Sequence, residues 1–459
     1  MTSHKFKQEL KQEAEQWRIE GLINQNIYEA LAQRYQFTNL ATNSNNRFTA
    51  VVITFGCILL GLAVITFVAA NWQVWSKSIK VAILISFFLI TNVAGFYIWQ
   101  KATENWQSRL GQGLLLLGSL ILGANIGLMS QMFHQTGAVY QLYLVWGCGV
   151  LLMAYGLGLT SLGIVAIILI SIGYFSSMGF FPRGELSHII QLIPLLVSCL
   201  FIPLAYRCRS AWLFFLASCL TIASFNINFL YDIDTFIQPL RGFLFAIAFL
   251  IPLAFFWSYQ DRPKLLNFST PISFASLSRK IAVCDLSIFL YLASFNWWWD
   301  YYPTSQASFQ GNWYYSILCI HTLVFTIISI YWWWKLGQRR NNNTRWRLDN
   351  QSIYMAIAIT TSSLLLWLNF NNNPVGYLGT IIFNLFLFSL AFILIRQALK
   401  SAKRLGYWSG IILLSLQVLS RMFEYNTGLL TKAVVLFICG LGVIFAGIWF
   451  EKNLTQSQV

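Results

Sequence analysis

Charge is what this sequence has least of. Of its 459 residues, 10% are Asp, Glu, Lys or Arg, against 57% that are hydrophobic. Soluble domains carry roughly a quarter charged residues. A soluble surface this poor in charge would be one large apolar patch, so a soluble globular domain is excluded. Acids are the scarcer sign, 15 against 30 bases, for a net charge of +15. Cysteine occurs eight times, at Cys57, Cys148, Cys199, Cys208, Cys219, Cys284, Cys319 and Cys439, and no two form a CxxC pair. Nearly all lie in apolar runs, which reads as core or lipid-facing thiols rather than a disulfide framework or a metal site. The sequence lacks a Gly-rich P-loop, an HExxH and any metal-spaced His/Cys/Asp cluster, so no cofactor or metal is expected and catalysis is poorly supported. It lacks the paired central acids of a strongly proton-coupled pump. A cleavable leader is not visible either. The first apolar run begins near Thr49, after a polar segment, and is expected to be retained as a helix.

What the chain has instead is length and grease. Mean hydropathy is +0.61, with 38 Phe and 19 Trp. A spanning helix needs about 20 apolar residues at about 1.5 Å each. Fourteen such spans are expected, at about 49–71, 79–100, 110–133, 139–157, 160–178, 188–206, 211–230, 239–258, 281–299, 313–334, 352–370, 375–395, 405–423 and 430–450. The run 139–178 is twice too long for one helix, and Gly156 and Gly158 supply its break. Aromatic clusters mark boundaries. "NWWWDYY" (Asn296–Tyr302) and "YWWW" (Tyr331–Trp334) read as interfacial belts.

The basic residues test the count. With the N-terminus inside, 24 of the 30 Lys and Arg fall on the inner side. Lys77, Lys80, Arg183, Arg241, Arg421 and Lys432 fall outside. A single missed helix would reverse this bias downstream, so an even number of spans with both ends cytoplasmic is expected. The same sorting makes the positive charge an orientation and headgroup signal. Nucleic acid is not an expected partner.

Residues 1–48 form the sizeable polar segment. Phe6, Leu10, Ala14 and Trp17 recur at helical spacing, and Ile27, Leu31 and Tyr35 do so after Gly21. Asn26 with Glu29 resembles a capping box. A cytoplasmic amphipathic helical hairpin is expected, followed by the polar tether "TNLATNSNNR", as a candidate element for binding a cytoplasmic protein partner. The expected organisation is 1–48 hairpin and tether, 49–178 and 179–452 membrane regions, and 453–459 a short cytoplasmic tail.

Polar residues inside apolar runs are the candidates for function. In "GANIGLMSQMFHQTG", Gly123, Gly127, Ser130, Gln131 and His134 share one helical face, while Asn125 points to the other side. Gly123 and Gly127 form a GxxxG pair that would admit a second backbone. The structural reading is a hydrogen-bonded helix seam. The functional reading is a polar outer site at Ser130, Gln131 and His134, with His134 a sensor of external pH. His321 lies deep in the tenth expected span, as a bonded neutral histidine or a relay group. Asp285 lies near an inner helix end, within reach of water. Arg421 and Glu424 are spaced to pair as i, i+3 neighbours, or to clamp a substrate. Pro194, Pro203 and Pro252 are candidate kinks. Asp232, Asp234, Asp300 and His134 are the outer candidates for a lipid-linked transferase.

One resemblance stands on specific residues. "WRIEGLI" (Trp17–Ile23), Tyr35, "FGCILLGLAVITFVAANWQ" (Phe55–Gln73), "LLLLGSLILGANIGLMSQMFH" (Leu114–His134) and the stretch Tyr140 to Trp146 occur in the order seen in the domain-of-unknown-function family 2157 of predicted bacterial membrane proteins. The stretch of about 10–160 resembles that family, and "LSRMFEYNTGLLTKAVVLFICG" (Leu419–Gly440) is similar to its usual closing segment. Asn24-Gln25 stands where the family has Glu-Gln, and Val74-Trp75 where it has Ile-Pro. The resemblance implies a multi-span membrane protein and supplies no activity.

The sequence therefore points to an all-α polytopic membrane bundle of about 14 helices, in a bacterial inner membrane or an internal one such as a thylakoid. Its partner is the lipid bilayer, and nothing in it sets an oligomeric state. A transporter- or flippase-like role for a small or lipid-linked solute leads. A scaffold or sensor acting through residues 1–48 is the rival reading.

Overall fold

The computed structural model describes residues 4–35, then 52, 55, 56, 59, 60, 62, 63 and 66, then 75–135, 137–178, 186–232, 246–261, 273–299, 314–338, 348–370, 375–401, 404–425 and 428–456. The first expected span, the tether, Asp234 and Asp300 lie wholly or largely outside these residues. Of Asp232 only the backbone is described. The described residues are helical, with no strand among them. Eight helices among them are long and apolar enough to cross a membrane. The chain divides into two compact units, Met1–Ser176 and Ser177–Val459.

Unit 1 begins with α1 (His4–Ile19) and α2 (Gln25–Tyr35). Ala14 is fully buried against Leu10, Trp17, Tyr28 and Leu31, the apolar faces of both helices. Gly21, at φ +77°, ends α1. Its left-handed turn lets the Leu22 amide donate to Trp17 O at 2.9 Å, a Schellman closure. Asn24 caps α2 by accepting the Ile27 amide at 3.0 Å. Asn26, the residue expected to cap, sits inside the helix, because the α1 turn closes early enough for α2 to start at Gln25. Tyr28 donates to Glu15 at 3.2 Å. Burial, then the Glu15 charge, raises the Tyr28 phenol above its ordinary pKa.

The rest of unit 1 is α3 (Lys77–Gln100), α4 (Asn105–Met132), α5 (Val139–Leu157) and α6 (Thr160–Ser177). All four are candidate spans. The α3–α4 seam is built on glycine. A Cβ at Gly111 would lie 2.5 Å from the Trp99 backbone N, and one at Gly95 would lie 3.0 Å from the Leu115 backbone N. Small residues here let the backbones close on each other. The expected break between α5 and α6 falls at Gly158, whose φ of +66° ends α5. Gly156 stays within α5.

Unit 2 runs α7 (Leu186–Gln191), α8 (Ile193–Arg207), α9 (Ala211–Asp232), α10 (Ile251–Ser258), α11 (Ala275–Ala293), α12 (Asn296–Trp299), α13 (Tyr314–Gln338), α14 (Asn350–Phe370), α15 (Gly376–Ser401), α16 (Arg404–Glu424) and α17 (Leu429–Gln456). The span expected at 188–206 is interrupted between Gln191 and Ile193. The described part of the one at 239–258 turns at Phe249–Leu250 before α10. The one at 281–299 starts earlier, at Ala275, and breaks after Ala293. Pro194 and Pro252 stand in the first turns of α8 and α10, directly after the interruptions of the spans expected at 188–206 and 239–258, where their rings and missing N–H keep the helix from continuing back through them. Helix also continues through Gln456, past the point where a tail was expected. The core is aromatic. Phe225, Phe256, Phe289, Trp299, Phe325 and Phe383 are buried in one cluster, and many rings meet edge-to-face.

Candidate functional site

The C-terminal end of α4 is held by its own backbone. The Gln135 amide donates to Ser130 O at 2.9 Å and the His134 amide to Gln131 O at 3.3 Å. His134 takes the left-handed position, φ +49°, that glycine usually occupies in a Schellman motif. The Ser130 hydroxyl turns back to Gln135 O at 3.4 Å. The Gln131 and His134 side chains are exposed. The candidate outer residues thus close a helix end and leave two side chains facing outward.

Further down α4 the two faces separate. Asn125 is buried and its Nδ2 donates to Leu84 O of α3 at 3.0 Å. Gly123 faces α5, but not through close backbones as the GxxxG pair implied. A Cβ there would fall 2.2 Å from the Trp146 ring. That ring lies along α4, and its Nε1 donates to Ser119 O at 2.7 Å. Gly127 is looser, with Leu142 3.9 Å from its virtual Cβ. The seam is therefore a glycine under an indole.

The densest polar site lies in unit 2, at the break between α11 and α12. Arg421 and Glu424 do pair. Each also spends its charge on the open backbone. Arg421 donates to Ser294 O at 2.7 Å, beyond the C-terminus of α11. Glu424 accepts the Asn296 amide at 2.6 Å, at the start of α12. These are the ends where a helix dipole favours a cation and an anion respectively. The guanidinium carbon also stands 3.9 Å from the centroid of Phe295, the residue in the gap.

Other helices complete the ring around this break. Asn384 on α15 donates to Ser294 O at 3.1 Å and to Thr380 O at 2.7 Å. Gln417, fully buried one turn before Arg421, donates to Asn384 O and Oδ1, each at 3.0 Å. Asn369 on α14 donates to Trp299 O at 3.3 Å. Trp299 donates back to Ala293 O at 2.9 Å. Its indole fills the space over Gly379, where a Cβ would lie 2.4 Å away. The Gln417 Oε1, Thr380 Oγ1 and Arg421 Nε atoms remain buried with no partner among the described residues.

The far end of α11 is closed by the opposite charge. Asp261 accepts the Phe274 amide at 2.9 Å, the Ala275 amide at 3.3 Å and the Ser273 hydroxyl at 2.6 Å. It also takes the Tyr206 hydroxyl, itself 2.9 Å from that of Tyr259. A carboxylate at its N-terminus and a guanidinium at its C-terminus fix α11 within unit 2. His321 is elsewhere, fully buried on α13, its ring 5.3 Å from Phe225 and edge-on to it.

Residues 15–163 match the family model "Predicted membrane protein (DUF2157)". The DUF2157 match falls inside unit 1 and takes in α2 to α5. It does not extend to the α11–α12 break. Neither the curated proteins nor the solved structures yield a match to this chain.

Sequence reading found Arg421 and Glu424 but missed Ser294, Asn369, Asn384, Gln417 and Asp261. A signal was present in part. Thr380 and Asn384, and Gln417 and Arg421, are each four residues apart inside otherwise apolar helices, which places each pair on one face. Nothing local says that those faces meet.

Proposed function

We propose that this membrane protein moves a small or lipid-linked solute across the bilayer, and that unit 2 carries the path. One observation carries the reading: unit 2 has helices broken within their apolar runs, with polar side chains gathered at the breaks. Open backbone at membrane depth is tolerated where protein or a wet cavity meets it, and discontinuous helices are where transporters hold their cargo. At the α7–α8 break, Asn228 donates to Gln191 O at 3.0 Å. At the α11–α12 break the Arg421–Glu424 pair does the equivalent work.

The reading includes fourteen spans, with both ends cytoplasmic in a bacterial inner membrane or a thylakoid. The end-to-end contacts support the alternation. Ser294 and Arg421, Asn369 and Trp299, and Asn228 and Gln191 each join ends that the count puts outside. Tyr206 and Asp261, Trp257 and Ser352, and Trp333 and Ala254 each join ends that it puts inside.

Untargeted metabolite and lipid profiling of a deletion strain tests the proposal. We expect one solute class to accumulate on one side and to be restored by the wild-type chain. Unchanged profiles under every growth condition tried would overturn it. A second reading, a scaffold or sensor, is favoured by the α1–α2 turn, where Ile19, Leu22 and Ile27 are 81%, 69% and 49% exposed. Deleting residues 1–48 would then abolish capture of a partner while leaving membrane insertion intact.

A further inference from the structure

Asp285 stands apart from every group the site uses. It is the eleventh residue of α11, not a residue near its inner end, because α11 begins at Ala275. Ten residues at about 1.5 Å each put it about 15 Å along the helix, five residues beyond Lys280. Its Oδ2 is buried and meets no hydrogen-bond partner among the described residues. On either side of it in sequence, Ala282 and Leu286 face the core, while Cys284 and Ile288 are exposed. Asp285 therefore lies on the seam between the packed and the outward faces of α11.

An ionised carboxylate in such a place is costly unless a charge or donors meet it. The surrounding elements supply none among the described residues. Cys219 on α9 and the adjacent Cys284 are the titratable neighbours within electrostatic range. Arg279 and Lys280 lie five or six residues away on α11, too far to share a helical face turn, and Arg279 stands over the Trp257 ring. The helix α10 carries no charged residue, and the bases of α15, Arg396 and Lys400, sit in its last two turns. A carboxylic acid is the low-cost form here. Its ionisation releases a proton by breaking the O–H bond, with the electron pair left on the carboxylate.

We propose that Asp285 is a proton-exchanging carboxyl on α11 of unit 2, holding a proton in its unpartnered surroundings and releasing it as the pH rises. That it couples proton movement to solute movement rests on the transport reading above. The binding and release of the proton do not.

The test uses the full-length chain in phosphatidylcholine vesicles, treated with dicyclohexylcarbodiimide across a range of pH. This apolar reagent adds to protonated carboxyls to give a stable acylurea. Peptide mass spectrometry should find the adduct on Asp285, with a yield that falls several-fold from mildly acidic to alkaline buffer. Asp285→Asn should lose the adduct and Asp285→Glu should keep it. The wild-type measurement alone decides the matter if a variant fails to fold. No adduct at Asp285, or a yield that does not change with pH, would overturn the proposal. Protection by sodium at constant pH would overturn it too, since the site would then hold a metal cation. Labelling as expected without any solute phenotype in the deletion strain leaves the proton site standing and removes the transport reading.

Discussion

The two units solve the same problem in opposite ways. The described α3 to α6 of unit 1 are unbroken helices long and apolar enough to cross a membrane, and their polar atoms are spent on single backbone carbonyls, as Asn125 on Leu84 O and Trp146 on Ser119 O. Its cohesion comes from close approach, with glycine under backbone at Gly111 and under an indole at Gly123. Unit 2 interrupts some of its helices and closes the openings with side chains of other helices, an amide at the α7–α8 break and a charged pair at the α11–α12 break. The difference matters because breaks cost hydrogen bonds in a medium that offers none in return. A chain keeps them only where side chains from several helices converge, as α14, α15 and α16 do around Ser294 and Trp299.

The comparison can be broken most sharply at Arg421. Its side chain and that of Glu424 are 16% and 12% exposed. Arg421→Ala strands Glu424 and uncovers Ser294 O, and such a change costs about 3 kcal/mol. Thermal unfolding of the purified protein should show that loss, and Arg421→Lys should recover only part of it, since an ammonium lacks the planar guanidinium's second nitrogen, which reaches the Ser294 hydroxyl. Next in size is Gly111→Val in unit 1. Its Cβ would meet the Trp99 backbone, which cannot step aside. The overpacking should cost about 1–3 kcal/mol, and cross-linking between cysteines placed on α3 and α4 should weaken.

Smaller again is Asn125→Ala. It removes one hydrogen bond to a carbonyl, for about 1 kcal/mol, and unit 2 should be indifferent to it. The smallest effect concerns Tyr28. Its phenol titrates above 10.0 in the folded α1–α2 pair. The pair is therefore favoured fully below the unfolded pKa, and that contribution fades as pH rises through the folded value. Tyr28→Phe should flatten the alkaline loosening, read by hydrogen exchange of residues 10–31.

Legibility in the sequence followed the range of the interaction. The break at Gly158 could be read because forty apolar residues exceed a bilayer, and Arg421 with Glu424 because they are three apart on one helix. Helix ends closed by a local turn, as at Gly21, were equally plain. The α2 cap was misplaced by two residues because the neighbouring turn decides it. The GxxxG pair was misread because a glycine records only that something comes close, and here it is Trp146. Asp261 and Asn384 are invisible because their partners outside their own helices lie 12 to 90 residues away. Asp285 was placed at a helix end because α11 reaches back over the polar stretch that includes Arg279 and Lys280. Those charges hid the helix start from a reading based on apolar runs.

The charged pair of α16 orders the α11–α12 break. Hydrogen-exchange mass spectrometry of wild-type and Arg421→Ala protein in lipid nanodiscs tests it most directly. Peptides covering 290–299 and 376–384 should lose protection in the variant, while those of α3 and α4 keep theirs. Unchanged exchange at 290–299, or a loss spread evenly over both units, would contradict it.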